Sequence, residues 1–236
     1  MNAQNTKKIS HFKKLKRKSD NLNNLYVFEE HLQRECFSLI AGVDEVGRGC
    51  LAGPLVTSAV ILPKGIFLPN LRESKQLSPK KRAEFFGEIK KLAIAVSIVI
   101  VKPEEIDKFG VHKANLKALA QALLKLEPQP DYCLVDGFTP IGLNKPFLAI
   151  KKGDTKSASI AAASIIAKVT RDEIMIDYHN KYPNYGFAKH KGYGTKEHLR
   201  NLMNFGPCDI HRKSFAPVKK ALVEFKQEEL FGISRQ

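Results

Sequence analysis

The chain opens polar and basic, then turns at Ser38 into an alternation of short apolar runs and longer amphipathic stretches. Leu25 to Cys36 has the spacing of a short amphipathic helix leading into the core. SLIAGVDEV (38–46) and LVTSAVIL (55–62) are apolar runs of strand length, parted by a glycine-rich turn from Gly47-Arg48-Gly49 to Gly53-Pro54. Ser78-Pro79 predicts a helix start, with serine as N-cap and proline at the first helical position. Leu92 to Val101, dense in β-branched residues, predicts a strand. Leu116, Leu119, Ala120, Leu123 and Leu124 recur at helical spacing. YCLVDG (132–137) and FLAIKKGD (147–154) read as two more strands, each ending on a carboxylate. A long helix is predicted from Ser157 to Tyr182, with Ala158, Ala162, Ile165, Ile166 and Val169 on one face and enough small side chains to approach a sheet closely. Pro183 to Thr195 reads as a polar, glycine-rich loop, followed by shorter helices. Strands alternating with helices, without internal repeat, predict an α/β fold with a mixed sheet. The expected organisation is a basic disordered arm (1–20), a short helical lead-in (21–37), an α/β core (38–182) and a loop with a helical C-terminal part (183–236).

A length of 236 residues fits one domain with short extensions. No apolar run reaches the roughly 18 residues of a membrane span, and the N-terminus lacks the apolar stretch of a secretory leader. Cys36, Cys50, Cys133 and Cys208 show no C-x-x-C spacing and read as reduced thiols of a cytoplasmic protein, not as a disulfide framework or zinc site. Charge changes the picture more. Lysine and arginine number 39 against 24 acids, a net charge of +15. Each basic group set against a phosphate releases counterions, so this excess points to a nucleic-acid partner. Lys7, Lys8, Lys13, Lys14, Lys16, Arg17 and Lys18 all precede the first acid, Asp20. That arm suits phosphates, and reads equally as a solvated end.

Against this basic background the placement of the acids stands out. Asp44 and Glu45 end one apolar strand, Asp136 ends another, and Asp154 follows a third apolar run. Ligands of open α/β sheets gather beyond strand ends, so these acids can converge despite their separation in sequence. Clustered carboxylates repel one another unless a cation neutralises them, and hard oxygen donors without a close Cys/His set favour Mg2+ or Mn2+ over zinc. The bland alternatives stay open: Asp136-Gly137 and Asp154-Thr155 are also ordinary turn pairs, and Asp154 can cap the next helix. Adjacent strand residues point to opposite faces, so Glu45 joins Asp44 only if the strand ends or twists there. Asp172 falls on the apolar stripe of the long helix, as an inward acid or a surface ion pair.

GVDEVGRGCLAGPLV, ESKQLS, LVDG, KKGD, AAASIIAKVTRD, YGFAKHKGYGT and HRKSFAPV, in this order between about residues 39 and 218, resemble the motif series of the bacterial ribonuclease HII family. The resemblance implies a ribonuclease H-like mixed sheet flanked by helices, with a small helical C-terminal part. It implies hydrolysis of the phosphodiester 5′ to a ribonucleotide, in RNA–DNA hybrid or in duplex DNA with embedded ribonucleotides, leaving 5′-phosphate and 3′-hydroxyl ends. Carried over by motif, the metal-holding acids are Asp44, Glu45, Asp136 and Asp154, with Asp172 supporting; substrate contacts fall on Gly47, Arg48, Gly49, Lys75 and Tyr193. Glu73 stands where the family more usually has aspartate. Lys189, His190, Lys191, Arg212 and Lys213 are expected along the duplex path as phosphate contacts. A monomer is expected, and no protein partner is named by the sequence. Two other readings compete: a ribonuclease H-fold nuclease acting on DNA, and a basic binding module without catalysis.

Overall fold

The computed structural model describes residues 24–231, so the basic arm of residues 1–20 lies outside the described residues. Five strands form one sheet: β1 (Ile40–Val46), β2 (Leu55–Ile61), β3 (Ala95–Val101), β4 (Tyr132–Asp136) and β5 (Phe147–Ile150). Their order is β3-β2-β1-β4-β5, with β1–β2 and β2–β3 antiparallel and β1–β4 and β4–β5 parallel. The sheet is mixed, as the alternating pattern predicts. The eight helices among the described residues are α1 (Val27–Arg34), α2 (Pro79–Leu92), α3 (Pro103–Phe109), α4 (Val111–Leu124), α5 (Ala158–Lys181), α6 (Phe187–His190), α7 (Lys196–Phe205) and α8 (Ala216–Phe231).

Each face of the sheet is sealed by helices. On one, Ala41, Val43, Leu55, Ala59, Val99, Cys133 and Val135 pack against Ala114, Ala118, Leu119 and Leu123 of α4 and Ile106 of α3. On the other, Val60 and Leu62 meet the alanine-rich start of α5 and Phe85 and Ile89 of α2. Small residues allow a very close approach there: a Cβ on Gly42 of β1 would lie 2.1 Å from the Ser159 carbonyl carbon. Ser157 caps α5 by accepting from Ile160 N at 3.2 Å. Buried Glu29 of α1 accepts from Ser157 Oγ (2.6 Å) and Ser159 N (2.9 Å), placing a carboxylate at the helix's positive end.

Several elements differ from the sequence expectation: FLAIKKGD (147–154) reads as strand to its carboxylate, but β5 ends at Ile150 and Asp154 lies in the 3-10 turn Gly153–Thr155. The segment from Leu92 was read as strand, but α2 runs through Leu92, its end closed by Ala93 N donating to Ile89 O (2.8 Å), and β3 begins at Ala95. The short α3 was not expected; Pro103 starts it and Glu105 accepts from Lys102 N at 3.4 Å. Nor is the segment Pro183 to Thr195 wholly loop. It holds a 3-10 turn (Pro183–Tyr185) and α6, because Tyr185 and Phe187 are buried with Met175, Ala52 and Ile210. All four cysteines are free, and no helix among the described residues is long and apolar enough to cross a membrane.

The C-terminal part is tied in by buried histidines. Cys208 N donates to His211 Nδ1 (3.0 Å), which leaves Nε2 of the neutral ring to donate to His198 Nε2 (3.0 Å); His198 Nδ1 then donates to Tyr193 O (2.9 Å). Burial, then the neighbouring ring, holds His211 down to about 3, and burial first holds His198 down to about 4. Unfolded, both titrate near 6.5, so between about pH 6.5 and 4 only the unfolded chain gains these protons and stability is lost as pH falls. Replacing His211 removes part of that loss. The stability gap between wild type and His211→Asn, from urea midpoints, is expected to narrow from pH 7 to pH 4; a gap independent of pH would contradict the neutral pair.

Candidate active site

Strand pairing builds the acidic cluster. β1 runs parallel to β4 with Val43 opposite Val135, so the next residue of each, Asp44 and Asp136, emerges at neighbouring strand ends. Asp136 pairs with Ile150 at the end of β5, and the chain then turns through a left-handed Lys152 (φ 55°) into the 3-10 turn Gly153–Thr155, which carries Asp154. Gly153 N donates to Asp136 Oδ1 at 2.6 Å. Packing is close there: a Cβ on Gly153 would sit 2.5 Å from Ile160 Cδ1, so that side chain would have to shift.

Glu45 takes the opposite side of the sheet. β1 continues to Val46, and Glu45 follows Ala41 and Val43 onto the face covered by α4. It lies opposite Thr57 and beside the buried Asn115 of α4, whose amide favours the ionised carboxylate. The Arg48 side chain turns back, with Nη1 3.7 Å from Glu45 Oε1 and the guanidinium 4.3 Å from the Phe138 ring centroid.

All four acids are held above the usual carboxylate range. Burial raises Asp44 most, and the charges of Glu45, Asp136 and Asp154 raise it further; Glu45 N donates to its Oδ1 at 2.7 Å, a weaker opposing effect. Burial pushes Glu45 up to about 7 against the pull of Arg48. Asp154 is pushed up to about 6 by burial, then by Asp136 and Glu73, with Lys75 opposing. Asp136 is raised by burial, offset by the Gly153 N–H and Lys75. Glu73 thus acts on the cluster as a fifth carboxylate, at the position where the motif series more usually has aspartate. Lys75 is exposed beside Asp136 and Asp154.

Hard oxygen donors that are buried, close in charge and too few in basic partners fit a divalent cation. Glu45 Oε2 is buried with no hydrogen-bond partner, as an oxygen awaiting an ion would be. Among the described residues no group of three or more histidine, cysteine, aspartate or glutamate side chains stands close enough as placed to hold a metal ion.

Beside the acids, Gly47 has φ 92°, while a Cβ on exposed Gly49 would meet nothing within 4 Å. The turn joins the Tyr193 loop directly: Leu51 N donates to Gly192 O at 2.9 Å. Tyr193 is 39% exposed, enough to offer a ring to a ligand. Asp172 sits apart, in an ion pair with Lys168 on α5 (2.7 Å). Two residues expected along the duplex path are corrected. His190 is buried, its Nε2 bonded to Tyr185 O (2.7 Å), and Arg212 has no accessible surface because its donors serve the carbonyls of Gly53 and Arg48. Lys189 and Lys213 are exposed and Lys191 partly so.

The family model described as Ribonuclease HII matches residues 41–218. Ribonuclease HII of Geobacter metallireducens is 50% identical over 197 residues, covering 84% of this chain and 92% of that protein. Ribonuclease HII of Bacillus cereus strain AH820 is 50% identical over 195 residues, covering 81% and 74%. Among solved structures, ribonuclease H2 from Pyrococcus horikoshii superposes with a TM-score of 0.70 at 27% identity, covering 80% of this chain and 99% of that one. RNase HII from Archaeoglobus fulgidus, solved in complex with PCNA, gives 0.60 at 28% identity, covering 70% and 87%. With that match spanning the strand-end acids, the turn and the Tyr193 loop alike, this chain belongs to the ribonuclease HII family and is a ribonuclease H-type hydrolase with the mixed-sheet fold of that group.

Proposed function

We propose that this hydrolase is an endonuclease cutting the phosphodiester on the 5′ side of a ribonucleotide, in RNA–DNA hybrids and in DNA duplexes with embedded ribonucleotides. The observation that carries the reading is the convergence of Asp44, Asp136 and Asp154 beyond adjacent strand ends, where burial holds all three toward protonation; the charge of Glu45 reaches Asp44 from the other face of β1. Their role is to hold divalent cations, Mg2+ or Mn2+, which when bound supply charge neutralisation at the phosphoryl oxygens and a more acidic water. The protein's own groups do the rest. Lys75, exposed beside Asp136 and Asp154, meets the phosphate. Asp172 with Lys168 supports the rim from α5. In the part beyond residue 182, Lys189, Lys191 and Lys213 follow the backbone of the duplex as nonspecific contacts. The PCNA complex of the Archaeoglobus relative supports a partner from replication or repair.

Selecting a ribonucleotide requires reading its 2′-hydroxyl. The Gly47–Gly49 backbone suits that task, because nothing in the protein fills the space beside Gly49 where a side chain would stand. Arg48, with 35% of its side chain exposed, retains a face for an adjacent phosphate, and the Tyr193 ring stacks on the neighbouring sugar or base.

The test is a duplex DNA bearing one ribonucleotide, compared with an all-DNA duplex in Mg2+ and in Mn2+, with the cut mapped. Cleavage 5′ to the ribonucleotide alone is expected; equal cutting of all-DNA duplex would favour a DNA nuclease. Asp44→Asn and Asp136→Asn are expected to lower kcat by about 100-fold or more, on the scale of a lost electrostatic group in catalysis, while duplex binding changes little. Near-normal turnover by either would remove these acids from the mechanism. Gly49→Ala is expected to keep the wild-type urea midpoint and lose at least tenfold in kcat/KM on the single-ribonucleotide duplex; unimpaired cleavage would exclude close backbone approach there.

A further inference from the structure

Under the Gly47–Gly49 turn and the Tyr193 loop lie two guanidinium groups, Arg171 and Arg212, each with 0% exposure. A charge so fully buried ordinarily has an acid beside it. Among the described residues neither makes an ion pair; Asp107 acts on Arg212 only through space, its oxygens being taken by Lys213 N, Ser214 N and Ser214 Oγ. The donors that are paired go to backbone carbonyls, and Arg212 Nη2 is buried without a hydrogen-bond partner. Arg171 donates from Nε to Pro54 O (2.9 Å), from Nη2 to Ala52 O (3.2 Å) and from Nη1 to Lys191 O (2.8 Å). Arg212 donates from Nε to Gly53 O (3.0 Å) and from Nη1 to Arg48 O (2.9 Å). Arg212 therefore braces the turn alone. Arg171 spans both segments, two bonds on the turn and one on the loop.

Tyr193 is held by the same group. Its ring lies across Arg171, with the guanidinium carbon 5.7 Å from the centroid, and near the buried Cys50 thiol. The fit is tight from the turn side too, since a Cβ on Gly47 would fall 2.3 Å from Arg171 Nε. The planar fork of an arginine can serve three carbonyls in fixed directions; a lysine ammonium keeps the charge but not the geometry.

We propose that Arg171 is a positioning residue for ribonucleotide recognition: it fixes the spacing between the Gly47–Gly49 turn and the Tyr193 ring, so that both engage one sugar–phosphate step. This rests on the reading of the turn and Tyr193 as recognition elements. If Arg171 acts through Tyr193, the two residues form one functional unit and their losses do not add.

The experiment measures kcat/KM on the single-ribonucleotide duplex for Arg171→Lys, Tyr193→Ala and the double variant, alongside the Mn2+-induced rise in Tm of each. Each single variant is expected to lose tenfold or more, the double no more than the worse single, with the Mn2+ shift intact because the acids stand on other elements. Wild-type cleavage by Arg171→Lys, or additive losses in the double variant, overturns the proposal while leaving Tyr193 as a reader. A Tyr193→Ala variant that cleaves like wild type overturns the recognition reading and this proposal with it. Should Arg171→Lys fail to fold, Arg171→Gln, which keeps an amide donor, takes its place under the same criteria.

Discussion

The parallel pairing of β1 with β4 is the constraint on which the rest depends. It fixes Asp44 and Asp136 at adjacent strand ends, and the turn after β5 adds Asp154. Nothing about such a cluster favours folding. Each carboxylate is desolvated, each raises its neighbours, and Lys75 and Arg48 are the opposing charges in reach. The apolar layers on both sides of the sheet, and the close seat of α5 against Gly42, hold the strand ends in place against that repulsion. Local instability of this kind is common where a site is shaped for a ligand and not for the empty fold.

The opposite problem arises a few residues on. There the buried charges are positive, and backbone carbonyls of the 48–54 turn and of Lys191 accept from all of their donor atoms except Arg212 Nη2. A turn with unpaired carbonyls and a loop rich in glycine would each be loose by themselves; the guanidiniums make them one surface. The His198–His211 pair reaches the same loop from the C-terminal side through Tyr193 O. An acidic pocket thus adjoins a cationic, carbonyl-bound platform, and the boundary between them is Arg48, turned back on Glu45.

Much of this was legible in the residues. Strand-length apolar runs reaching Asp44 and Asp136, the serine-capped start of α2, and the alanine face of α5 are local signals, and the structure follows them. The ordered motifs identified the family. What was not legible depends on contacts between distant segments. Arg212 and His190 look like surface cations in a basic, glycine-rich stretch, and only the carbonyls of Gly53, Arg48 and Tyr185 explain their burial. Arg171 lies within the motif AAASIIAKVTRD, but the motif does not show what its guanidinium holds, since two of its partners lie 117 and 119 positions earlier. Glu45 was open to either face, and the continuation of β1 to Val46 decides it.

If cations are what relieve the crowded carboxylates, they must bind the protein before any nucleic acid arrives. The direct measurement is a calorimetric titration of the free protein with Mn2+, wild type beside Asp136→Asn. Saturable binding to the wild type, weakened at least tenfold in the variant, is expected. No detectable binding, or equal affinity in both proteins, would contradict a cation site built on these strand ends.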